Sequence, residues 1–152
     1  MQSLRNLLFP ALIFALSAGL LAACSKADAT LPSMTVFKSP TCGCCTKWVD
    51  HLEQSGFKVK ITNMPDVSPM KERLRVPAAL GSCHTAVIDG YVVEGHVPAD
   101  VIQRLLKERP DVTGLAVAGM PMGSPGMEGG TPQSYDIMAF TKSGQQYVYD
   151  SR

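Results

Sequence analysis

The sequence predicts one α/β domain, and three features of it point that way. Apolar runs at period two alternate with apolar runs at helical period, an Asp-Gly pair joins two apolar runs in the manner of a tight hairpin, and glycine or proline stands at most changes of period. At 152 residues the chain is of single-domain size, long enough to bury one core but not two.

The elements follow in order. Met34-Thr35-Val36-Phe37-Lys38 is a short strand that runs into Ser39-Pro40-Thr41. From Cys44 to Gln54, Trp48, Val49 and Leu52 keep helical spacing, and Gly56 stops that helix. Phe57 to Ile61 alternates apolar and basic residues, which predicts a half-buried strand, and Val67 to Arg75 reads as a short helix opened by Ser68-Pro69 and broken by Pro77. Thr85–Ile88 and Tyr91–Glu94 flank Asp89-Gly90, the favoured connection of a two-residue hairpin. A last helix starts at Pro98, turns Val101, Ile102, Leu105 and Leu106 to the core, and ends before Pro110. Strand, helix, strand, helix, hairpin, helix is the order of a thioredoxin-like fold. Beyond it, residues Gly119 to Pro132 are rich in Gly, Pro and Met, and Tyr135–Phe140 and Gln145–Tyr149 flank Lys142-Ser143-Gly144. The expected extension is a long loop plus a β-hairpin, and a loop of that length in a compact domain is functional or mobile.

The first two dozen residues set the compartment. Arg5 precedes a run from Leu7 to Leu21 that is almost wholly apolar, the length of a secretory h-region and short of the roughly 20 residues a spanning helix needs. The run ends in Leu21-Ala22-Ala23-Cys24, which resembles a lipoprotein cleavage box; an ordinary signal peptide with small residues before its cut site is the alternative. The expectation is a signal peptide over 1–23, acylation of Cys24, a small polar tether over 24–33 and a domain over 34–152. That resemblance implies the periplasmic face of a membrane, in a Gram-negative cell the outer one. Lys+Arg 14 against Asp+Glu 13 leaves no basic field for nucleic acid and no acidic field to gather cations at a distance, so any ion must be held by discrete ligands.

Those ligands are visible. Cys42-Gly43-Cys44-Cys45 sets three thiols at the start of a helix, where free N–H groups and the helix dipole favour thiolate, the metal-binding form. Cys42 and Cys45 have C-x-x-C spacing, and the third thiol between them disfavours clean disulfide exchange while adding a metal ligand. Cys83-His84-Thr85 precedes the third strand, where a thioredoxin-like fold places its cis-proline against the C-x-x-C pair; by that analogy His84 stands in for the proline and brings Cys83 to the cysteine turn. His96 follows Glu94-Gly95 at the end of the fourth strand, within reach of the same turn. His51 lies two helical turns past Cys45 and reads as packing, as does Trp48. Met120, Met122 and Met127 offer thioethers, which select Cu(I) and need no deprotonation. Two structural disulfides among the four cysteines of the domain are the bland alternative, strained because neighbouring Cys44 and Cys45 would need separate partners.

Four separated segments, Ser39 to Cys45, Leu80 to Ala86, Glu94 to Pro98 and Gly119 to Met127, resemble the periplasmic copper-resistance CopG-like family, catalogued as a domain of unknown function. The resemblance spans Met34 to Met127 and departs at Ala118, where the family's loop motif has proline. It implies a thioredoxin-like fold and copper binding linked to copper tolerance, with Cys42, Cys44, Cys45 and Cys83 matching the family's cysteines and His84 and His96 its histidines. The leading expectation is a copper-binding protein holding one or more Cu(I) ions, with other periplasmic copper-handling proteins as partners and no residue assigned to catalysis. A thiol–disulfide oxidoreductase using Cys42 and Cys45, and a structural zinc site, are the alternatives.

Overall fold

The computed structural model describes residues 31–152. The expected signal peptide, the expected acylation at Cys24 and most of the expected tether therefore lie outside the described residues. The elements run β1 (Ser33–Lys38), α1 (Gly43–Gln54), β2 (Lys58–Asn63), α2 (Ser68–Arg73), a single 3-10 turn over Ala78–Leu80, β3 (His84–Ile88), β4 (Tyr91–Glu94), α3 (Ala99–Glu108), β5 (Gly114–Ala116), β6 (Asp136–Phe140) and β7 (Gln146–Ser151). All seven strands join one sheet in the order β2-β1-β3-β4-β5-β6-β7. β1 and β2 are parallel, β3 is antiparallel to β1 and to β4, β4 and β5 are parallel, and β5, β6 and β7 pair antiparallel. The class is mixed α/β, as expected, and the pairing of β1 to β4 follows from the element order.

Period-two alternation explains how the sheet acquires two faces. On one face Met34, Val36, Ala86, Ile88, Val93, Leu115, Ile137 and Ala139 pack with Trp48, Val49 and Leu52 of α1 and Val101, Ile102 and Leu105 of α3. The intervening positions Val92, Ala116 and Phe140 point the other way, where Leu74, Val76 and Leu80 cover them. The Asp89-Gly90 corner takes the paired positive φ of a type I′ turn, 48° and 86°. His51, half-buried on α1, accepts a hydrogen bond at Nε2 from the Ala99 backbone N–H at 3.1 Å, so it caps the start of α3 rather than joining any site.

Four expectations need correction. The β-strand at the tether boundary begins at Ser33, one residue early. β2 is an edge strand with Ile61 44% exposed, so Phe57 just ahead of it is the buried anchor and the half-buried alternation is weak. Helix α2 is shorter than expected, because Pro77 and the left-handed Arg75 end it. β5 was not foreseen: three residues long, it docks between β4 and β6 at Gly114, where a Cβ would lie 2.0 Å from the Val92 carbonyl oxygen. Through it the C-terminal hairpin becomes part of the main sheet instead of an appendage.

Candidate metal centre

The cysteine turn and the two histidines come from three corners at one end of the sheet. Cys42 is the N-cap of α1: its Sγ accepts a hydrogen bond from the Cys45 backbone N–H at 3.3 Å, taking up one of the helix's free donors. Lys38 of β1 pairs in register with His84 of β3, so the end of β1 and the start of β3 are neighbours and the segments they lead into must meet. Gly95, at a φ of 69°, turns the chain after β4 and delivers His96 to the same place; a Cβ there would lie 2.5 Å from the Val117 carbonyl oxygen.

The sulfurs converge. Cys45 Sγ lies 3.4 Å from Cys83 Sγ, Cys42 Sγ 3.5 Å from Cys44 Sγ, and Cys44 Sγ 4.0 Å from Cys83 Sγ. Cys83 Sγ is 3.4 Å from His84 Nδ1 and 3.2 Å from His96 Nε2. Two groups of candidate ligands result, Cys42/Cys44/Cys45/Cys83 and Cys83/His84/His96, each with its ligand atoms within 4.8 Å of one another and both sharing Cys83. Cys42 and Cys45 are joined by a disulfide, whereas Cys44 and Cys83 are free. The expectation that all four act as thiolates therefore needs a step of reduction first.

Protonation follows from burial. His84 and His96 are both fully buried. Burial, with His96 and the Lys71 ammonium pushing the same way, lowers the His84 imidazole to about 3. Burial lowers His96 as well, opposed by its bond to the Pro125 carbonyl and by the Glu128 charge. A carbonyl only accepts, so the 2.7 Å contact between His96 Nδ1 and Pro125 O puts the hydrogen on Nδ1 and leaves the Nε2 lone pair aimed at Cys83 Sγ. The second nitrogen of His84, Nε2, is buried without a hydrogen-bond partner among the described residues, and the ring lies 4.3 Å from that of Trp48. Burial, reinforced by Cys44, pushes the Cys83 thiol up to about 11, so a metal arriving there must displace a proton. Two neutral imidazoles and up to four sulfurs form a soft, borderline donor set that suits copper or zinc over oxygen-seeking ions.

The methionine loop meets the cluster through its backbone. Gly126, at a φ of 88°, is pressed so close that a Cβ would lie 2.6 Å from the Cys44 carbonyl oxygen and 2.9 Å from the Trp48 backbone nitrogen. Glu128 Oε1 accepts from the Gly126 N–H at 2.8 Å and fixes that contact. Met120 is 51% exposed, Met122 is partly buried with its Cε close under Gly130, and Met127 is partly buried. The Pro125 carbonyl reaches the His96 side chain and Gly126 lies against the Cys44 and Trp48 backbone, whereas Met120 faces solvent.

Sequence reasoning missed the group behind the site. Glu94 is fully buried and accepts from the Ser82 backbone N–H at 2.6 Å, the Thr85 hydroxyl at 2.6 Å and Lys71 Nζ at 2.5 Å. The signal was present as a carboxylate ending the apolar strand Tyr91-Val92-Val93-Glu94. Trp48 proves to be core and site wall at once, its Nε1 donating to the Val97 carbonyl at 2.9 Å.

The fold and the cluster together define a mixed α/β domain with a partly buried cysteine and histidine cluster able to hold a soft metal. A family described as "Protein of unknown function, DUF411" matches residues 80–127, which contain Cys83, His84, His96 and the methionine loop. Two solved structures of a copper resistance protein, copG, in a form 2 and a form 1, superpose with TM-scores of 0.77 and 0.76. Each is 49% identical, over 80% of this chain and 98% of theirs. No curated protein matches. The chain belongs to the CopG-like copper-resistance family.

Proposed function

We propose that this protein binds copper as Cu(I) in the service of copper resistance, through the thiolates of Cys42, Cys44, Cys45 and Cys83 with His84 and His96 bordering them. The observation that carries the reading is that sulfurs 38 residues apart, Cys45 and Cys83, lie 3.4 Å from each other beside two neutral buried imidazoles. Thiolate favours Cu(I), and imidazole beside it keeps a Cu(II) state accessible. With four sulfurs, more than one ion can be held by bridging. Met120, Met122 and Met127 would serve at the entrance, passing copper between solvent and the cluster. The apolar run before Cys24 supports export and a lipid anchor at the periplasmic face of the outer membrane, with other copper-handling proteins there as donors or acceptors.

The test is anaerobic titration of the purified protein with Cu(I) against a chromophoric chelator, before and after reduction of the disulfide. The reading expects tight binding in the reduced protein and weaker or smaller uptake in the oxidised one, since two ligands are then tied up. Failure of the reduced protein to compete would end it. A second reading, thiol–disulfide exchange, is favoured by one observation: the disulfide has a free thiol, Cys83, 3.4 Å from its Cys45 sulfur. Exchange predicts insulin reduction that survives Cys44→Ser. A zinc site predicts zinc retained from cells grown in excess copper.

A further inference from the structure

We propose that Glu94 and Lys71 are positioning residues that hold Cys83 and His84 for the metal from the opposite face of the sheet; this rests on the copper-binding reading above. The alternation of β3 and β4 places them there. His84, Ala86 and Ile88 share the face of α1 and Trp48, whereas Thr85 points away, toward the face on which Val92 and Glu94 lie. On that back face the one carboxylate takes three donors: the Ser82 backbone N–H, the Thr85 hydroxyl and the Lys71 ammonium. Lys71 also donates to Thr85 Oγ1 at 3.0 Å. Ser82 and Thr85 bracket Cys83-His84, so the two candidate ligands sit on a four-residue segment pinned at both ends to one buried group.

The same pair reaches the site's other parts. Glu94 leads through Gly95 into His96, and the Gly95 N–H donates to the His84 carbonyl at 3.1 Å. The Ser82 hydroxyl donates to the Gly119 carbonyl, at the start of the methionine loop. Both Glu94 oxygens accept hydrogen bonds on the back face, and Glu94 belongs to neither group of candidate ligands. A buried ion pair is seldom more stabilising than apolar side chains of the same volume, and Val92 and Ala116 show that this face accepts apolar residues elsewhere. What the pair adds is a fixed direction for the backbone carrying Cys83, the sulfur common to both ligand groups. Groups that orient metal ligands from behind change affinity by about 10- to 100-fold when removed.

Four purified proteins decide it: the native chain, Glu94→Gln, Lys71→Met and, as a control for mere destabilisation, Ile137→Val in β6, two strands away from β4. Each is reduced, checked for folding by circular dichroism and thermal melting, and titrated anaerobically with Cu(I) against the chelator while the thiolate-to-copper ultraviolet band is followed. The expected result is a loss of about 10- to 100-fold in Cu(I) affinity for Glu94→Gln and Lys71→Met. Their charge-transfer band should be altered, while Ile137→Val melts lower but binds as the native chain. Native affinity and an unchanged band in both variants, or losses no larger than the control's, would overturn the proposal. Should Glu94→Gln fail to fold, Lys71→Met decides alone, because its side chain is 19% exposed at the rim of the pair. A native chain that cannot compete for Cu(I) fails before any substitution is compared, and that result removes the copper reading and the proposal together.

Discussion

Replacing Gly126 by alanine probes how the methionine loop is seated on the site. The new Cβ would stand 2.6 Å from the Cys44 carbonyl oxygen, 2.9 Å from the Trp48 nitrogen and 3.3 Å from His96 Nδ1. Two of these are backbone atoms of α1 and cannot swing aside, so the loop must lift. Overpacking of this kind costs about 1–3 kcal/mol. A left-handed φ of 88° on a residue with a Cβ adds a further penalty of about 1–2 kcal/mol. Lifting the loop also separates His96 Nδ1 from the Pro125 carbonyl, a hydrogen bond worth about 1 kcal/mol. The sum is a loss of about 3–6 kcal/mol, or a fall in Tm on the order of 10–20 °C for a domain of this size. Urea unfolding and calorimetry measure it, and nitrogen NMR of His96 reports whether Nδ1 keeps its hydrogen. A loss below about 0.5 kcal/mol, the range of an ordinary surface substitution, with an unchanged His96 ring would refute the reasoning.

Other outcomes follow from the same geometry. His84 titrates near 6.5 when unfolded and at about 3 when folded, so the unfolded chain binds the extra proton first. Stability of the metal-free protein is therefore complete above pH 6.5 and declines as pH falls from there toward 3, by about 1.4 kcal/mol per unit. Urea titrations at pH 7, 6 and 5 should show this slope, reduced in His84→Gln; equal slopes would exclude His84 as its source. Gly114→Ala would drive a Cβ to within 2.0 Å of the Val92 carbonyl oxygen, separating β5 from β4; loss of amide exchange protection across β5 and β6 is the expected result, and retained protection the contrary one. Alkylation of the non-reduced protein followed by peptide mass spectrometry should label Cys44 and Cys83 and leave Cys42 linked to Cys45. Any other pairing contradicts the described cysteine arrangement.

What could be read from residues alone was what depends on neighbours in the chain. The Asp89-Gly90 hairpin, the N-terminal start of α1 at the cysteines and the apolar face of α3 are local patterns, and the structure has all three. The meeting of Cys83 with the cysteine turn was reachable through the analogy with the position before the third strand of a thioredoxin-like fold, and the pairing of the end of β1 with the start of β3 gives its physical reason. β5 was illegible because three residues, Gly114 to Ala116, carry no period, and their place is set by a glycine that lets one strand lie against another. The disulfide within the cluster was one of several permitted pairings, and spacing does not choose among them. Glu94 was passed over because a carboxylate at a strand end usually faces water; only the fold brings Lys71, Ser82 and Thr85 around it. The methionines drew attention as thioethers, whereas the loop's contacts with the site come from Pro125 and Gly126, whose backbone role has no side-chain signature.

X-ray absorption at the copper edge, on the reduced protein loaded with Cu(I) without oxygen, addresses the cluster most directly. A nearest shell dominated by sulfur, with sulfur lost on Cys83→Ser, is the predicted spectrum. A shell of nitrogen and oxygen alone, unmoved by that substitution, would contradict it.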